Sequence, residues 1–259
     1  MKILVLMKMV PDIVEELEVA ADGKSLDLEA ARPIVSESDD HALEQALLLK
    51  DRLGATVVAM GLESPDIDDV LFTAVAKGAD RAVKVTGVEP PVPTSEVAAL
   101  LAAVIPAVPD LMPVDLVLTG CQAIDDLDGM VAPFLAERLH IPYVGVVTGA
   151  EIKAGEARAT VLKEYAGGVR ARYVVALPAA LGVQAAEKPP RYVPVAKVRA
   201  TMKAAKIETV DAPERDAPSP LAVVRMTKPE AAGHAEMLEG GPDAVAAKVV
   251  ELLTARGLL

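Results

Sequence analysis

The feature that most constrains the fold is a regular alternation between short apolar segments and helical patterns. Apolar segments without side-chain alternation predict buried strands at residues 3–7, 55–60, 81–85, 116–119 and 141–147. Segments with helical spacing of apolar residues lie between them. Strands that are buried on both faces and joined through helices are typical of parallel sheets. The sequence therefore predicts an α/β fold with a doubly wound, mostly parallel sheet, whose last core strand is 141–147.

The composition agrees with a tightly packed core and excludes one class of partner. Hydrophobic residues make up 52% of the 259 residues, and the aromatic ones are 2 Phe and 4 Tyr, without Trp. Ala, Val and Leu must therefore fill the core, which suits close packing of helices on a sheet. The net charge of −12 opposes binding to the phosphate backbone of nucleic acids, so we expect no nucleic acid partner.

The cellular compartment is indicated by the single cysteine and by the N-terminus. Cys121 cannot form an internal disulfide, which fits a reducing compartment. The apolar N-terminal segment is short, leads directly to Lys8 and Pro11, and carries no cleavage-site pattern. No run approaches the roughly 18 apolar residues that a membrane-spanning helix needs. We therefore expect a cytoplasmic protein.

The pattern changes in the second half of the chain. Alternating side chains around residues 150–178 predict an antiparallel β excursion at the edge of the sheet. Residues 208–229 are polar and proline-rich, which indicates an extended arm, and residues 244–255 have the spacing of an amphipathic helix. The predicted division is an α/β nucleotide-binding core at 1–207 and a C-terminal arm with a helix at 208–259, which we expect to dock on a partner.

The strongest candidate for a binding site is the loop at residues 120–133, which connects the strand at 116–119 to a helix. Such a connection points backbone N–H groups at a ligand beyond the carboxyl end of the strand. Asp125, Asp126 and Asp128 resemble a Mg²⁺ site only superficially, because their oxygens are not spread out as in a metal-binding loop. We therefore expect a nucleotide and no metal.

Catalytic chemistry has little support in the sequence. His41, His140 and His234 lie far apart and lack the spacing of metal ligands. The motifs G-x-S-x-G, H-E-x-x-H and G-K-[ST] are absent from the sequence. Cys121 has no indicated base, so a small buried thiol beside the loop is the favoured interpretation. Residues 36–40 precede a helical pattern, and helix capping by Ser and Asp alone would explain them.

Several short motifs occur in a characteristic order and spacing. They are residues 3–12, 42–47, 76–80 and 120–125, and Pro190-Arg191-Tyr192 followed by residues 202–204. Together they resemble the β subunit of electron transfer flavoproteins (the FixA-like family), and the resemblance covers nearly the whole chain. It implies the adenine-nucleotide alpha-hydrolase-like form of the predicted sheet.

The resemblance implies a heterodimer with a larger α subunit that holds or shares the FAD. Such a dimer takes electrons from dehydrogenases and relays them to an acceptor, for which a membrane-bound quinone oxidoreductase is one candidate. The β subunit has no active site of its own and binds AMP in most members, or a second FAD in electron-bifurcating members that use NADH. The alternatives are an empty or altered β site, a stand-alone adenine-nucleotide-binding stress-type protein, and a small flavin-dependent oxidoreductase.

Two sets of site residues follow from the resemblance. The residues expected to surround the adenine nucleotide are Leu6, Ser36, Glu37, Ser38, Asp39, Met60, Gly120, Cys121, Gln122, Ala123, Ile124, Asp125, Asp126, Leu127, Asp128, Gly129, Met130 and Val131. The residues expected to recognise dehydrogenase partners are Val183, Gln184, Ala185, Ala186, Glu187, Lys188, Pro189, Pro190, Arg191 and Tyr192. The C-terminal arm and helix would wrap onto the α subunit.

The chain departs from the family pattern at positions that matter for both sets. Asp128 and Met130 stand where relatives have polar side chains that meet a phosphate, and a carboxylate repels a phosphate. Glu187 stands where relatives that recognise acyl-CoA dehydrogenase have an apolar anchor, so we expect a different partner. Pro93 precedes Thr94 where bifurcating members have an Asp-Thr pair, which favours AMP over a second FAD.

Overall fold

The computed structural model describes residues 1–27, 31–88, 92–126, 128–213, 223–229, 235 and 237–259. The strands are β1 (Lys2–Met7), β2 (Met9–Pro11), β3 (Pro33–Val35), β4 (Thr56–Leu62), β5 (Arg81–Thr86), β6 (Leu116–Gly120), β7 (Tyr143–Ile152), β8 (Arg158–Glu164), β9 (Arg170–Ala176), β10 (Ala179–Val183) and β11 (Glu208–Asp211). The helices are α1 (Glu37–Leu53), α2 (Ile67–Lys77), α3 (Thr94–Val104), α4 (Val131–Arg138), α5 (Val195–Ala204) and α6 (Pro242–Ala255), besides two 3₁₀ turns at Ile105–Ala107 and Ala166–Gly168.

The predicted fold class is confirmed by the arrangement of the strands. The main sheet of the described residues has nine strands in the order β11-β5-β4-β1-β6-β10-β7-β8-β9. Neighbours from β11 to β7 are parallel, whereas β7, β8 and β9 are antiparallel to one another. β2 and β3 form a separate antiparallel pair. The antiparallel extension continues directly from β7, which is the longest strand in the sheet at 10 residues.

The core consists of two apolar layers, one on each face of the sheet. Successive side chains of a strand point to opposite faces. Ile3 and Val5 therefore belong to the layer that contains Leu43 of α1, while Leu4 belongs to the layer that contains Leu101 of α3. Complete burial of such a side chain contributes about 1.5–3 kcal/mol, so both layers stabilise the central strands strongly.

The prediction that residues 141–147 form the last core strand is wrong. β10 lies between β6 and β7 and pairs in parallel with both. All 5 residues of β10 are buried. The sequence signal is weak because the strand begins Ala179-Ala180, and alanine is depleted in strands. The central position of the strand, with neighbours on both sides, selects these small residues.

The predicted boundary between residues 207 and 208 also differs from the structure. β11 pairs in parallel with β5, so the start of the predicted arm belongs to the sheet. The chain divides instead into two compact units, Met1–Arg225 and Met226–Leu259. The short, charged β11 is typical of an edge strand, which resists pairing with other chains. Residues 214–222 and 230–234 of the arm lie outside the described residues. His234, one of the three histidines of the sequence, is among them.

Candidate functional site

The candidate nucleotide site lies at the carboxyl ends of β1 and β6. After β1 the chain continues to β4 and β5 on one side, and β6 then starts the other side of the sheet. The two neighbouring strands therefore send their following loops in opposite directions. In open α/β sheets this switch point leaves a crevice in which ligands bind. The first turn of α1 and the loop after β6 form the walls.

Asp39 in the first turn of α1 joins these elements. Its carboxylate accepts hydrogen bonds from the backbone N–H of Lys8 at 3.0 Å and of Gly120 at 2.8 Å. Burial raises the pKa of Asp39 to about 7, although the two N–H donors act in the opposite direction. The backbone N–H of Ser36 donates to the Lys8 carbonyl at 3.0 Å. One buried carboxyl group thus holds the ends of β1 and β6 against the same helix.

Residues 36–40 begin helix α1 as the capping interpretation expects, but the side-chain cap itself is not formed. Ser36 is the N-cap residue of α1, but its side chain makes no capping hydrogen bond. The Ser36 and Ser38 hydroxyl oxygens lie 3.2 Å apart, and Ser38 Oγ donates to the Gln122 carbonyl at 3.1 Å. A Cβ atom at Gly120 would overlap Ser38 Oγ, which explains the glycine at this position. These side chains fasten the loop rather than the helix end.

The acidic side chains of the loop are already engaged within the protein. Lys8 Nζ lies 2.7 Å from Asp125 Oδ1 and 3.4 Å from Asp126 Oδ1. Asp126 Oδ2 also accepts from the Ala123 N–H at 3.4 Å, and Asp128 Oδ1 accepts from the Met130 N–H at 3.0 Å.

The charge balance around Lys8 is set by its burial and by these two acids. Burial alone would lower the pKa of Lys8, but the carboxylates of Asp125 and Asp126 raise it above its ordinary value. The ammonium therefore stays charged. Lys8 is not among the residues that the sequence predicts for the site, although its position directly after a buried strand is a signal that the sequence contains.

The predicted partner-recognition residues 183–192 run along the side of α1. Arg191 binds Glu44 through two donors: Nε lies 2.9 Å from Oε2, and a terminal nitrogen lies 3.0 Å from Oε1. The Arg191 backbone N–H donates to Glu44 Oε2 at 2.9 Å, and a terminal nitrogen reaches Asp51 at 2.9 Å. Glu44 is only 4% exposed, so Arg191 neutralises a buried charge. The segment is therefore anchored near its end.

Glu187 is turned back onto α1 and is not presented as an anchor for a partner. Its carboxylate accepts from Gln45 Nε2 at 3.1 Å and from Arg52 at 2.7 Å. Burial alone would raise the pKa of Glu187, but the hydrogen bonds from Arg52 and Gln45 lower it below its ordinary value. The Ala186 N–H donates to His41 Nδ1 at 3.2 Å. In contrast, the Tyr192 side chain that follows is 85% exposed.

Comparison with known proteins identifies the family. A sequence model of the electron transfer flavoprotein domain matches residues 26–215. The chain belongs to the electron transfer flavoprotein family. It is 27% identical to electron transfer flavoprotein subunit beta of Methylophilus methylotrophus, over 98% of both chains. It is 30% identical to the same subunit of Bacillus subtilis, over 98% of this chain and 97% of the relative.

A third relative is named as part of a larger complex. The chain is 32% identical to the caffeyl-CoA reductase-Etf complex subunit CarD of Acetobacterium woodii, over 75% of this chain and 72% of the relative. The predicted resemblance to the beta subunits is confirmed, and with it a role in electron transfer.

The structure brings most of the predicted nucleotide-site residues of this family member to one edge of the sheet. Residues 36–39 and 120–126 are linked by the contacts above, whereas Leu127 lies outside the described residues. Leu6 and Met60 pair in register near the ends of β1 and β4, and both side chains are buried in the layer below α3. Contact of these residues with a nucleotide stays a prediction.

The remaining loop residues differ in exposure. Ile124 is 59% exposed and Met130 is 36% exposed, so two apolar side chains of the loop face outward. Val131 begins α4 and is partly buried against the layer below α3. Gly129 has a φ of 62°, the left-handed conformation that favours glycine. This turn allows the loop to enter α4 directly.

Cys121 is a hydrogen-bonded thiol at the end of β6. Its backbone N–H donates to the Val183 carbonyl at 2.9 Å, and its Sγ donates to Gln184 Oε1 at 2.9 Å. Burial raises the pKa of the thiol, so the reactive thiolate is disfavoured.

Metal-binding clusters and membrane-spanning helices are absent from the described part of the chain. There, no group of His, Cys, Asp and Glu residues is arranged to hold a metal ion. No helix of that part is long and apolar enough to cross a membrane.

Proposed function

We propose that the chain is the β subunit of a heterodimeric electron transfer flavoprotein that binds an adenine nucleotide in the crevice beside Asp39. The observation that carries the proposal is the contact at the switch point of the sheet. There Asp39 of α1 binds the backbone at the ends of β1 and β6. The α subunit holds or shares the FAD, and the dimer relays electrons from dehydrogenases to a downstream acceptor. The role of this subunit is structural and electronic, without an active site of its own.

AMP is the ligand that the local structure favours. Helix α4 begins directly after the loop, so the positive end of its dipole lies at the end of the loop and suits a phosphate. Asp128 already accepts the Met130 N–H, however, and so occupies one donor that a phosphate would use. The helix opened by Thr94 lacks the preceding acid of bifurcating members, because its N-cap is Pro93. We therefore place AMP at the site, held weakly, and make a second FAD with NADH the alternative.

Partner recognition is proposed for the exposed end of the segment at residues 183–192. The contacts to α1 fix the backbone as far as Arg191 and leave Tyr192 exposed. Lys197, Arg199 and Lys203 of the adjacent helix α5 are also exposed. An aromatic side chain beside basic residues suits a dehydrogenase surface that carries a pocket and acidic groups. Because Glu187 is bound to Arg52, we propose that Tyr192 takes the place of the apolar anchor.

The C-terminal unit is proposed to dock on the α subunit. Val249, Val250 and Leu252 of α6 are 40%, 54% and 43% exposed. Apolar residues at helical spacing that remain exposed need a partner surface. A cytoplasmic location is proposed from the free thiol of Cys121.

The test is to co-express the chain with an electron transfer flavoprotein α subunit from the same organism and to count the FAD and AMP released on denaturation. We expect one FAD and a substoichiometric amount of AMP per heterodimer. Two FAD per heterodimer would favour the bifurcating alternative. A stable monomer without an α partner or flavin would overturn the proposal.

A further inference from the structure

The Lys8 ammonium at the proposed nucleotide site is bound by carboxylates of the protein itself. Its Nζ lies 2.7 Å from Asp125 Oδ1 and 3.4 Å from Asp126 Oδ1. The Lys8 backbone is held on both sides, since its N–H donates to Asp39 and its carbonyl accepts from Ser36. Only the side chain can therefore change partners.

The two acids differ in how firmly they are held. Asp126 is part of a turn: its N–H donates to the Ala123 carbonyl at 3.1 Å, and its Oδ2 accepts from the Ala123 N–H. Its carbonyl also accepts from Gln122 Nε2 at 3.2 Å. Among the described residues, Lys8 is the hydrogen-bond partner of the Asp125 carboxylate. Asp125 can therefore leave Lys8 without breaking the loop.

We propose that Asp125 competes with the phosphate of the bound nucleotide for Lys8, so that the site discriminates only weakly between AMP and adenosine. This inference rests on the proposed binding of an adenine nucleotide in this crevice. A phosphate can bind the Lys8 ammonium only after the Asp125 carboxylate has left it. The bound phosphate then lies near the displaced carboxylate. The charge-assisted hydrogen bond gained by the phosphate is offset by the one that Asp125 loses. Asp125 is thus a specificity-determining residue.

The test compares the affinities of the full chain for AMP and adenosine by titration calorimetry. Asp125→Asn should raise the affinity for AMP on the order of tenfold, because a charged hydrogen bond becomes available to the phosphate. The affinity for adenosine should stay unchanged. Asp125→Ser is a second variant with the same expectation. Asp128→Asn is the matched control, since it removes the same charge from the loop but does not contact Lys8.

A double-mutant cycle with Lys8→Met separates competition from general repulsion. The gain from Asp125→Asn should disappear in the Lys8→Met background, whereas the smaller gain from Asp128→Asn should persist. Equal gains with and without Lys8 would overturn the competition and leave the proposed function intact. Absence of binding of both AMP and adenosine to every variant would overturn the nucleotide site itself.

Discussion

Two segments pack against α1, and they are held in different ways. The loop after β6 is fastened through its backbone to Asp39 and Ser38, while its own acidic side chains bind Lys8 at a partly open edge. The segment at residues 184–191 is fastened both by backbone N–H groups that donate to side chains of α1 and by its own charged side chains, which turn inward to Glu44 and Arg52. The first arrangement leaves charges that can exchange partners. The second uses its charges for position and leaves Tyr192 exposed.

The largest expected effect comes from the close approach of Gly120, at the start of the loop, to Ser38 and Asp39 of α1. Gly120→Ala places a Cβ atom onto Ser38 Oγ and within 2.6 Å of Asp39 Oδ1. Overpacking of this kind should lower the free energy of unfolding by about 3 kcal/mol, measured by urea denaturation. Gly241→Ala is the control, because no atom lies within 4 Å of the added Cβ. A loss similar to that of the control would show that the loop is not fastened here.

The next largest effect tests the contact between Arg191 and Glu44, which holds residues 184–191 on α1. Glu44→Ala leaves Arg191 without its bidentate partner and should lower the free energy of unfolding by about 2 kcal/mol. Asp51→Ala removes the other carboxylate that binds Arg191. Because the Asp51 side chain is 58% exposed, this change should lower the free energy of unfolding by less than about 0.5 kcal/mol in the same urea denaturation. Equal losses would mean that burial of Glu44 does not distinguish the two contacts.

The pH dependence of the free energy of unfolding distinguishes the contact of Asp39 with the loop after β6 from the contacts of residues 184–191. The folded Asp39 carboxyl keeps its proton up to about pH 7, whereas its ordinary pKa is 3.8. Between these values the folded state binds more protons, so the free energy of unfolding should fall as pH rises. Asp39→Asn should flatten this slope and cost about 1 kcal/mol at neutral pH. Denaturation curves across this range test it, and parallel curves for both proteins would contradict it.

The smallest effect concerns the ion pair of Glu187. The Arg52 and Glu187 side chains are 39% and 31% exposed, so Arg52→Ala should lower the free energy of unfolding by about 0.5 kcal/mol or less. Faster hydrogen exchange at the Glu187 amide, which donates to Gln45, should accompany the change. Lys153→Ala, which removes an exposed pair on the β7–β8 hairpin, is the control for exchange. Unchanged exchange at Glu187 would show that Arg52 does not position the segment.

The sequence by itself determined the fold class, most helices and strands, and the family. Each of these depends on local periodicity or on the order of short motifs, as in β1 and α3, whose residues carry their pattern within a few positions. β10 and β11 were missed because an alanine-rich strand and a polar edge strand are specified by their neighbours in the sheet. Their position could not be obtained from their own residues.

Only the tertiary structure decided what the charged residues do. Lys8 and Asp125 are separated by 117 positions, and Arg191 and Glu44 by 147 positions, so no local pattern joins them. The sequence presented Asp125 and Asp126 as a superficial likeness to a Mg²⁺ site and Glu187 as the sign of a different partner. Folding pairs all three with cations, because burial of a charge is costly until an opposite charge lies beside it. The pairing of charges therefore depends on distances in the folded structure, whereas most of the backbone fold can be predicted from local sequence patterns.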